Sequence, residues 1–327
     1  MQLIIKDKND IRDVHIRGRH YVRGRFLTES TFEIFYSEEL LKTIFDVLQE
    51  YFKDDIDRAE DPAYLKNPLT KFLDHYSIDL RGHRILDFGC GSGASSVILA
   101  QLGAGKVVGV DVDERRLSIA QLRVRDYGFS GIIDLHLLSN TNRLPFEDSS
   151  FDLVVCMGVI EHVHYKQRRV WLQEIWRVLA PGGYLVILET PNRLWPKDIH
   201  TTGLWFLPYL PPRVACAYAK LMNAENRTHT FEELLGMGIR GATYWEIVGP
   251  IKDDTLIEMN SKVRETVDRF FPLNTAKRQG LVRRSLKRLV RSVFRATDVL
   301  ILRPFKIPFT AISPELKICL RKAPTSH

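Results

Sequence analysis

ILDFGCGSG, residues 85–93, is the stretch that decides the fold. Apolar residues and one acid lead into three alternating glycines, and apolar residues recur at positions 97–99. This order predicts a buried strand, a tight turn and the first turn of a helix. Glycines let a ligand approach the backbone, and the N-terminus of a helix presents unpaired N–H groups. The stretch therefore predicts a cradle for a nucleotide-type ligand.

The acid in this stretch, Asp87, indicates which nucleotide is bound. Gly89, Gly91 and Ala94 also satisfy a dinucleotide fingerprint. A carboxylate two residues before the first glycine would repel a pyrophosphate, whereas it would attract a cationic amino-acid group. The stretch resembles the first motif, acid-x-Gly-x-Gly-x-Gly, of the class I S-adenosylmethionine (SAM)-dependent methyltransferases. An NAD-linked oxidoreductase is the alternative enzyme class.

Further landmarks of that family follow in order. Asp111 ends a second predicted strand 22 residues after Gly89, which is near the distance at which a carboxylate reaches a ribose diol. The later landmarks are Leu144-Pro145-Phe146, Ile160-Glu161-His162-Val163 and the turn Pro181-Gly182-Gly183. That turn and the acid before the glycines both argue against the oxidoreductase.

The resemblance implies a set of cofactor-binding residues. Asp87 and the glycines would hold the methionine end of SAM, and Asp111 would hold both ribose hydroxyls. Asn140 and the N–H of Thr141 would meet the adenine. Asn140 stands where the family often has an acid, and its amide oxygen accepts a hydrogen bond without the charge. The complete set is Asp87, Gly89, Cys90, Gly91, Gly93, Asp111, Val112, Asn140, Thr141 and Met157.

Alternating strands and helices predict the architecture. Such alternation implies a parallel sheet with right-handed crossovers and ligands beyond the carboxyl ends of its strands. Together with the resemblance, it predicts an α/β fold: a doubly wound, Rossmann-like, seven-stranded methyltransferase sheet with an N-terminal helical cap and a basic insertion before the last strand. The expected core strands are near 84–88, 106–110, 132–137, 151–156 and 184–189, with helices near 94–102, 113–126 and 166–179.

Three regions are expected along the chain. They are an N-terminal helical cap over 1–81, a SAM-binding core over 82–250 with a lid over 191–229, and a basic helical insertion plus the final strand over 251–327. Apolar periodicity predicts an amphipathic helix from Thr31 to Phe52 in the cap. Ala242 to Val248 is expected to form strand six, and Leu316 to Leu320 an antiparallel last strand.

The candidate catalytic residues are Glu161, His162 and His200. Methyl transfer from SAM needs alignment and exclusion of water, and a hydroxyl acceptor also benefits from a general base. The Glu161–His162 pair has two other interpretations, a loop anchor packed against the sheet and a metal site. The ubiquinone-type O-methyltransferases, which this stretch resembles, carry a further acid where this chain has Gly158. No metal is therefore expected.

Arg193 and Trp195 are the predicted acceptor-binding residues. The run from Thr190 to Thr201 resembles a segment that lines the acceptor pocket in methyltransferases of bacterial glycan and lipid biosynthesis clusters. Arg193 would bind an anionic acceptor, and pairing with a local acid such as Asp198 is the alternative. The aromatic side chains of the lid either line a large apolar pocket or form a small satellite core.

The positive charge is concentrated in one block. Residues 277–306 contain ten Lys and Arg and one acid, so this block carries +9 and the rest of the chain −2. Apolar residues recur at helical spacing over 281–295. A basic amphipathic helix suits an anionic membrane surface, and a solvated face over a buried seam is the alternative. Nucleic acid is the least favoured partner because no recognised RNA or DNA module accompanies the block.

Composition predicts a cytoplasmic protein. No window approaches the ~20 apolar residues that span a bilayer, and residues 1–10 are charged where a signal peptide would be apolar. The four cysteines have neither metal-ligand nor disulfide spacing, as expected in a reducing compartment.

We expect a SAM-dependent methyltransferase acting on a small-molecule, glycan or lipid-linked acceptor, with oxygen as the favoured atom. An RNA methyltransferase and a non-catalytic SAM-binding scaffold are the alternatives.

Overall fold

The computed structural model shows two compact units, residues 1–157 and 158–327. The predicted limits of the cap, core and insertion stay predictions. The residues described by the structure are 1–8, 10–138, 143–251, 255–259, 285, 289, 292–293, 296–302, 304–305 and 307–324.

A three-stranded antiparallel sheet begins the N-terminal unit. Alternate residues of its middle strand are buried, as in a sheet with one covered face. Val14 and Ile16 of that strand lie in one apolar cluster with Leu40 and Ile44 of the following helix. The strands, in spatial order, are β1 (Gln2–Lys8), β2 (Ile11–Val22) and β3 (Arg25–Ile34).

The predicted helix from Thr31 to Phe52 is wrong in its first part. Residues through Ile34 belong to β3, which pairs with β2. The helix begins only at Glu38, where the hydroxyl of Ser37 accepts the N–H of Leu40 at 3.2 Å. A short run of apolar residues fits strand alternation as well as helical spacing, so pairing with the preceding strand β2 decided its structure. The helices of this region are α1 (Glu38–Leu48), α2 (Phe52–Glu60) and α3 (Lys66–Tyr76).

The rest of the N-terminal unit is the parallel part of the core sheet. Its strands are β4 (Arg84–Phe88), β5 (Lys106–Asp111), β6 (Ile133–Leu137) and β7 (Phe151–Met157), with helices α4 (Ala94–Gln101) and α5 (Glu114–Asp126). β4 pairs in parallel with β5 and β7, and β5 pairs in parallel with β6. The strands and helices predicted here are confirmed to within a few residues.

The C-terminal unit contributes an antiparallel edge and several short helices. Its elements are α6 (Arg168–Val178), β8 (Leu179–Pro191), α7 (Pro212–Met222), α8 (Phe231–Gly236), α9 (Tyr244–Val248), β9 (Leu256–Glu258) and β10 (Glu315–Lys322). β10 pairs antiparallel with β8 and with β9, which confirms the predicted last strand.

The predicted sixth strand over Ala242 to Val248 is wrong, because most of it is helix α9. Thr243 accepts the N–H of Glu246 at 3.1 Å, and the Glu246 carboxylate accepts the N–H of Thr243 at 2.9 Å. This reciprocal capping box starts a helix at a run whose aromatic and β-branched residues favour a strand. The strand at that position of the sheet is β9 instead.

The seven core strands follow the order β6-β5-β4-β7-β8-β10-β9. The sheet is mostly parallel with its last strands antiparallel, which confirms the predicted α/β fold class. Most of the predicted basic helix and of the block 277–306 lies outside the described residues; positions 285, 289, 292, 293, 296 and 297 are helical. Across the described parts of the chain, no helix is both long and apolar enough to cross a bilayer.

Candidate active site

The glycine loop between β4 and α4 has the backbone conformation that the sequence predicted. Gly89, Gly91 and Gly93 have φ of 76°, 52° and 83°, in the left-handed region that favours glycine. A Cβ on Gly93 would lie 2.9 Å from the Cβ of Ala120, so glycine there lets α4 pack closely against α5. A Cβ on Gly91 would meet nothing nearer than Arg116 Nη1 at 3.8 Å.

The N–H groups of this loop are largely used inside the fold. The N–H groups of Gly89 and Cys90 both donate to the carbonyl of Val110, at 2.8 and 3.0 Å. The N–H of Gly93 donates to the carbonyl of Cys90. An anion such as a pyrophosphate would therefore find few donors in this loop.

Asp87 is a buried carboxylate with one unsatisfied oxygen. Its Oδ2 accepts the hydroxyls of Ser95 and Ser96 at 2.7 and 2.6 Å, whereas Oδ1 has no hydrogen-bond partner among the described residues. Burial raises the pKa of Asp87 to about 6, and the two serine hydrogen bonds oppose that rise. A cationic donor at Oδ1 would satisfy the oxygen and favour the ionised form, so the site fits the ammonium group of SAM.

Asp111 is held rigidly at the carboxyl end of β5. Its Oδ2 accepts the N–H of Gly91 at 2.8 Å, and its Oδ1 accepts the N–H of Asp113 at 2.9 Å. Each carboxylate oxygen keeps a second lone pair, which suits two neighbouring hydroxyls of a ribose. The adjacent Val112 is exposed, and Met157 is buried at the end of β7.

Cys90, the other non-glycine residue of the predicted loop set, is buried. Burial raises the pKa of its thiol well above the ordinary value, so it stays a neutral thiol in the loop. Asn140 and Thr141, the predicted adenine contacts, lie outside the described residues, and their role stays a prediction.

A buried ion pair that the sequence did not reveal supports the glycine loop. Arg123 of α5 is fully buried and donates to the carboxylate of Asp55 and to the carbonyl of Ser92. The hydroxyl of Ser92 also donates to Asp55. A buried guanidinium is tolerated only with such partners, so the trio fixes the loop against α2 and α5. Asp55 and Arg123 are 68 residues apart, and each sits in a helix with other charged residues.

In the C-terminal unit, the structure brings together the three predicted catalytic residues. One ligand atom each of Glu161, His162 and His200 lies within 4.8 Å of the others. The Glu161 carboxyl is buried; its Oε2 accepts the Thr190 hydroxyl at 3.2 Å, and its Oε1 has no hydrogen-bond partner within the described chain. Burial raises the pKa of Glu161 to about 8. Two imidazoles and a carboxyl can transfer protons or bind a divalent metal, so the absence of a metal stays a prediction.

A hydrogen bond fixes the tautomer of His162. Its Nδ1 lies 2.8 Å from the carbonyl of Gly236, which can only accept, so Nδ1 carries the proton. In the neutral ring, Nε2 is then the basic atom, and it lies 3.9 Å from Oε1 of Glu161. The ring of His200 stands edge-on to that of His162, with centroids 5.3 Å apart.

Two further residues position this cluster, and the sequence did not reveal this role. Asp198 is buried and accepts the N–H groups of His200 and Thr202 at 3.1 and 2.7 Å, which orders the loop that carries His200. Gly238 has φ of 79°, and a Cβ there would lie 2.9 Å from Glu161 Cγ and 3.3 Å from His200 Cδ2. The sequence offered Asp198 only as a partner of Arg193, and Gly238 belongs to no local motif that would have pointed to it.

The structure places one of the two predicted acceptor residues, Arg193, at a cleft. Arg193 lines a cleft that is partly open to solvent, together with Glu161. Its Nη1 donates to Oε1 of Glu246 at 2.7 Å, so its acidic partner is Glu246 and not Asp198, which was the alternative. Trp195 is half-buried and is not among the described residues that line the cleft.

The lid forms a satellite core. Its buried side chains pack with α8 and the following loop, and the cluster consists of Leu207, Ala215, Cys216, Ala219, Leu234 and Ile239. Trp205, Phe206 and Tyr209 are about half exposed, so these aromatics stay at the surface. The satellite core, rather than an apolar pocket lined by these three rings, is what the structure shows.

Sequence comparisons agree with this geometry. Residues 86–187 match the family described as a methyltransferase domain. The chain is 37% identical to the demethylmenaquinone methyltransferase of Bacillus subtilis, over 52% of this chain and 76% of that protein. It is 33% identical to the O-methyltransferase rstn1 of Aspergillus nomiae, over 42% of this chain and 59% of that protein.

One further curated protein and one solved structure are also similar to the chain. A ubiquinone biosynthesis O-methyltransferase of Azoarcus sp. is 32% identical, over 49% of this chain and 67% of that protein. A solved structure, an S-adenosylmethionine dependent methyltransferase from Mesorhizobium loti, is 25% identical over 40% of this chain and 56% of that chain, with a TM-score of 0.34.

The sheet order, the glycine loop and the sequence matches define one class of protein. The chain belongs to the class I SAM-dependent methyltransferases. SAM is the cofactor of this family, and the cofactor prediction is thereby confirmed. The chain spans 59% of the rstn1 relative, so the acceptor and the partners of the whole protein are matters for proposal.

Proposed function

We propose that the protein transfers the methyl group of SAM to an oxygen atom of a small-molecule acceptor, with glycans and lipid-linked intermediates included in that class. The observation that carries the proposal is the fixed tautomer of His162, whose Nδ1 donates to the Gly236 carbonyl and leaves Nε2 as the basic atom. Relatives named as O-methyltransferases support oxygen as the acceptor atom.

In the cofactor site, Asp87 and Asp111 are the two carboxylates that would bind SAM. Asp87 Oδ1 would accept the ammonium group, and the carboxylate of Asp111 would accept both ribose hydroxyls. When bound, SAM supplies a methyl group activated by its sulfonium. The protein's task is then to hold the acceptor in line and to keep water out.

On the acceptor side, His162 would be the general base. Nε2 takes the proton from the acceptor hydroxyl, and such proton transfer contributes about 10²- to 10⁴-fold. Oε1 of Glu161 lies 3.9 Å from Nε2, so the imidazolium that forms would favour release of the proton from this carboxyl. His200 packs against His162 and keeps the ring in place.

A metal role for the same cluster is the less favoured candidate. Burial keeps the carboxyl of Glu161 mostly protonated near neutral pH, since its pKa is raised to about 8. A protonated carboxyl is a poor ligand for a divalent cation. Acid–base chemistry therefore suits the cluster better than metal binding.

The proposal is tested in two stages. Calorimetry with SAM and with NAD should show micromolar binding of SAM alone, and labelled SAM should then deliver its methyl group to a panel of phenols, hydroquinones and sugars. Asp111→Ala should lose SAM binding, while Asp134→Asn, on an exposed acid of β6 paired with Lys106, should keep it. Binding of NAD instead of SAM would refute the assignment, and binding without any turnover would favour the scaffold alternative.

Peripheral membrane contact through 277–306 is a separate proposal. It is supported by the net charge of +9 over this block. Co-sedimentation with vesicles that contain phosphatidylserine, compared with neutral vesicles and with RNA at matched salt, would test it. Preferential binding to RNA would support the RNA methyltransferase alternative instead.

A further inference from the structure

Three arginines line the cleft of the C-terminal unit. Arg168 comes from α6, Arg193 follows β8, and Arg240 lies in the loop before α9. The cleft is partly open to solvent, and Glu161 also lines it. Three guanidinium groups around one cleft are unusual unless acids or a bound anion balance them.

Arg168 and Arg193 are held by protein partners. They share one carboxylate, because Arg193 Nη1 lies 2.7 Å from Oε1 of Glu246 and Arg168 Nη1 lies 3.5 Å from its Oε2. Arg168 also donates to the carbonyls of Val163 and Glu161, at 3.0 and 3.2 Å. These contacts fix both arginines at the wall of the cleft.

Arg240 is different, because the described residues offer it neither a hydrogen bond nor an ion pair. Its Nε is buried and unsatisfied. Burial and the nearby charge of Arg193 lower the pKa of Arg240, and the charge of Glu246 opposes this shift. The next residue, Gly241, has φ of 61°, and a Cβ there would lie 2.2 Å from the Pro191 carbonyl oxygen. This close approach fixes the loop that presents Arg240.

The charge of the cleft is therefore positive. Three guanidinium groups and the carboxyl of Glu161 line the cleft, and Glu246 pairs with Arg168 and Arg193. Within the described part of the chain, Arg240 has no ion-pair partner, so no salt bridge balances its charge. Planar guanidinium forks bind carboxylates and phosphates through paired hydrogen bonds.

We propose that this cleft binds an oxyanion, a carboxylate or a phosphate, carried by the methyl acceptor, with Arg240 as its principal ligand. The inference rests on the proposed function, because Glu161 both lines the cleft and lies beside His162 in the catalytic cluster. The acceptor is then an anionic hydroxyl compound whose anionic group is held by the arginines.

The test measures stabilisation by simple anions. The melting temperature of the full chain is measured at pH 7 in sodium phosphate, sodium acetate and sodium chloride at matched ionic strength. Saturation of the cleft should raise Tm by about 2 °C or more over chloride for at least one of the two oxyanions. A rise with phosphate alone indicates a phosphorylated acceptor, and a rise with acetate alone a carboxylated one.

Matched variants show which residue is responsible for the rise in Tm. Arg240→Gln should abolish the rise, Arg240→Lys should keep part of it, and Arg213→Gln, on an exposed arginine of α7, should keep all of it. In chloride, Arg240→Gln should be at least as stable as the wild type, because it removes an unpaired charge. No rise in the wild type, or an equal rise in Arg240→Gln, would overturn the proposal.

SAM calorimetry on the same samples separates the two proposals. Arg240→Gln should bind SAM with the wild-type affinity. If the wild type does not bind SAM, the proposed function is refuted, whether or not the anions raise Tm. Normal SAM binding with no anion effect would refute the oxyanion site alone.

Discussion

The glycine loop and the arginine cleft are polar sites built in opposite ways. The loop takes Asp87 and its three glycines from seven consecutive residues, and a buried ion pair supports it from behind. The cleft takes its arginines from three segments that span 73 residues. The contrast indicates that the cofactor loop is formed by neighbouring residues of the sequence, whereas the proposed acceptor cleft is formed by residues that only the folded chain brings together.

Their unsatisfied groups are also of opposite sign. Among the described residues, Oδ1 of Asp87 in the loop and Nε of Arg240 in the cleft are buried without a hydrogen-bond partner. A buried polar atom without a partner is unfavourable, so a ligand of the opposite charge would stabilise each site. A cationic cofactor end and an anionic acceptor group meet these two needs.

The largest expected effect belongs to the catalytic cluster. His162→Gln should lower kcat by about 10²- to 10⁴-fold, because it removes the base, while the SAM dissociation constant stays unchanged. The measurement is methyl transfer from labelled SAM at saturating cofactor. His229→Gln, on an exposed histidine near Glu233, is the control and should have wild-type kcat. Full activity of His162→Gln would remove the base from the mechanism.

The next effect tests the loop as a cation site. Asp87→Asn should weaken SAM binding by about 10- to 100-fold, because a charged hydrogen bond becomes a neutral one. Since the pKa of Asp87 is about 6, wild-type affinity should also fall as pH drops below about 6, and the variant should lack that fall. Calorimetry between pH 5 and 8 measures both. A wild-type affinity in Asp87→Asn would contradict the cation assignment.

A smaller effect concerns stability. The folded protein keeps the Glu161 proton up to about pH 8, whereas an unfolded chain loses it near the ordinary value of 4.5. The free energy of unfolding should therefore fall as pH rises from about 4.5 to 8, by on the order of a few kcal/mol. Glu161→Gln should remove this fall, and the exposed Glu232→Gln should not. Chemical denaturation across this range checks it, and parallel curves for wild type and Glu161→Gln would exclude the linkage.

The smallest expected effect is that of metal removal. If Glu161, His162 and His200 act by acid–base chemistry, dialysis against EDTA should change kcat by less than about twofold. Metal analysis of the purified protein and addition of Zn²⁺ complete the measurement. A loss of activity that Zn²⁺ or Mn²⁺ restores would show that the cluster holds a metal.

Some strands and helices could be predicted correctly from the local sequence pattern alone. The strands β4 and β5 and the helices α4 and α5 agree with their predicted ranges, because the first three are apolar runs bounded by glycines and α5 begins at the capping acid Asp113. The errors at Thr31 and at Ala242 have different reasons. Strand β3 depends on pairing with β2, and helix α9 depends on the Thr243–Glu246 capping box, which outweighed the strand propensity of its residues.

The amino-acid sequence by itself determined the α/β class, the glycine loop and the candidate acids Asp87 and Asp111, because the chemistry of a nucleotide cradle lies within one strand–turn–helix unit and the strand that follows it. It also identified Glu161, His162 and His200 as candidates. Only the tertiary structure decided that these three converge and that Arg240, whose Nε has no hydrogen-bond partner among the described residues, lines the same cleft as Arg193. Those facts depend on contacts between residues far apart in the chain, and no local periodicity or spacing encodes such contacts.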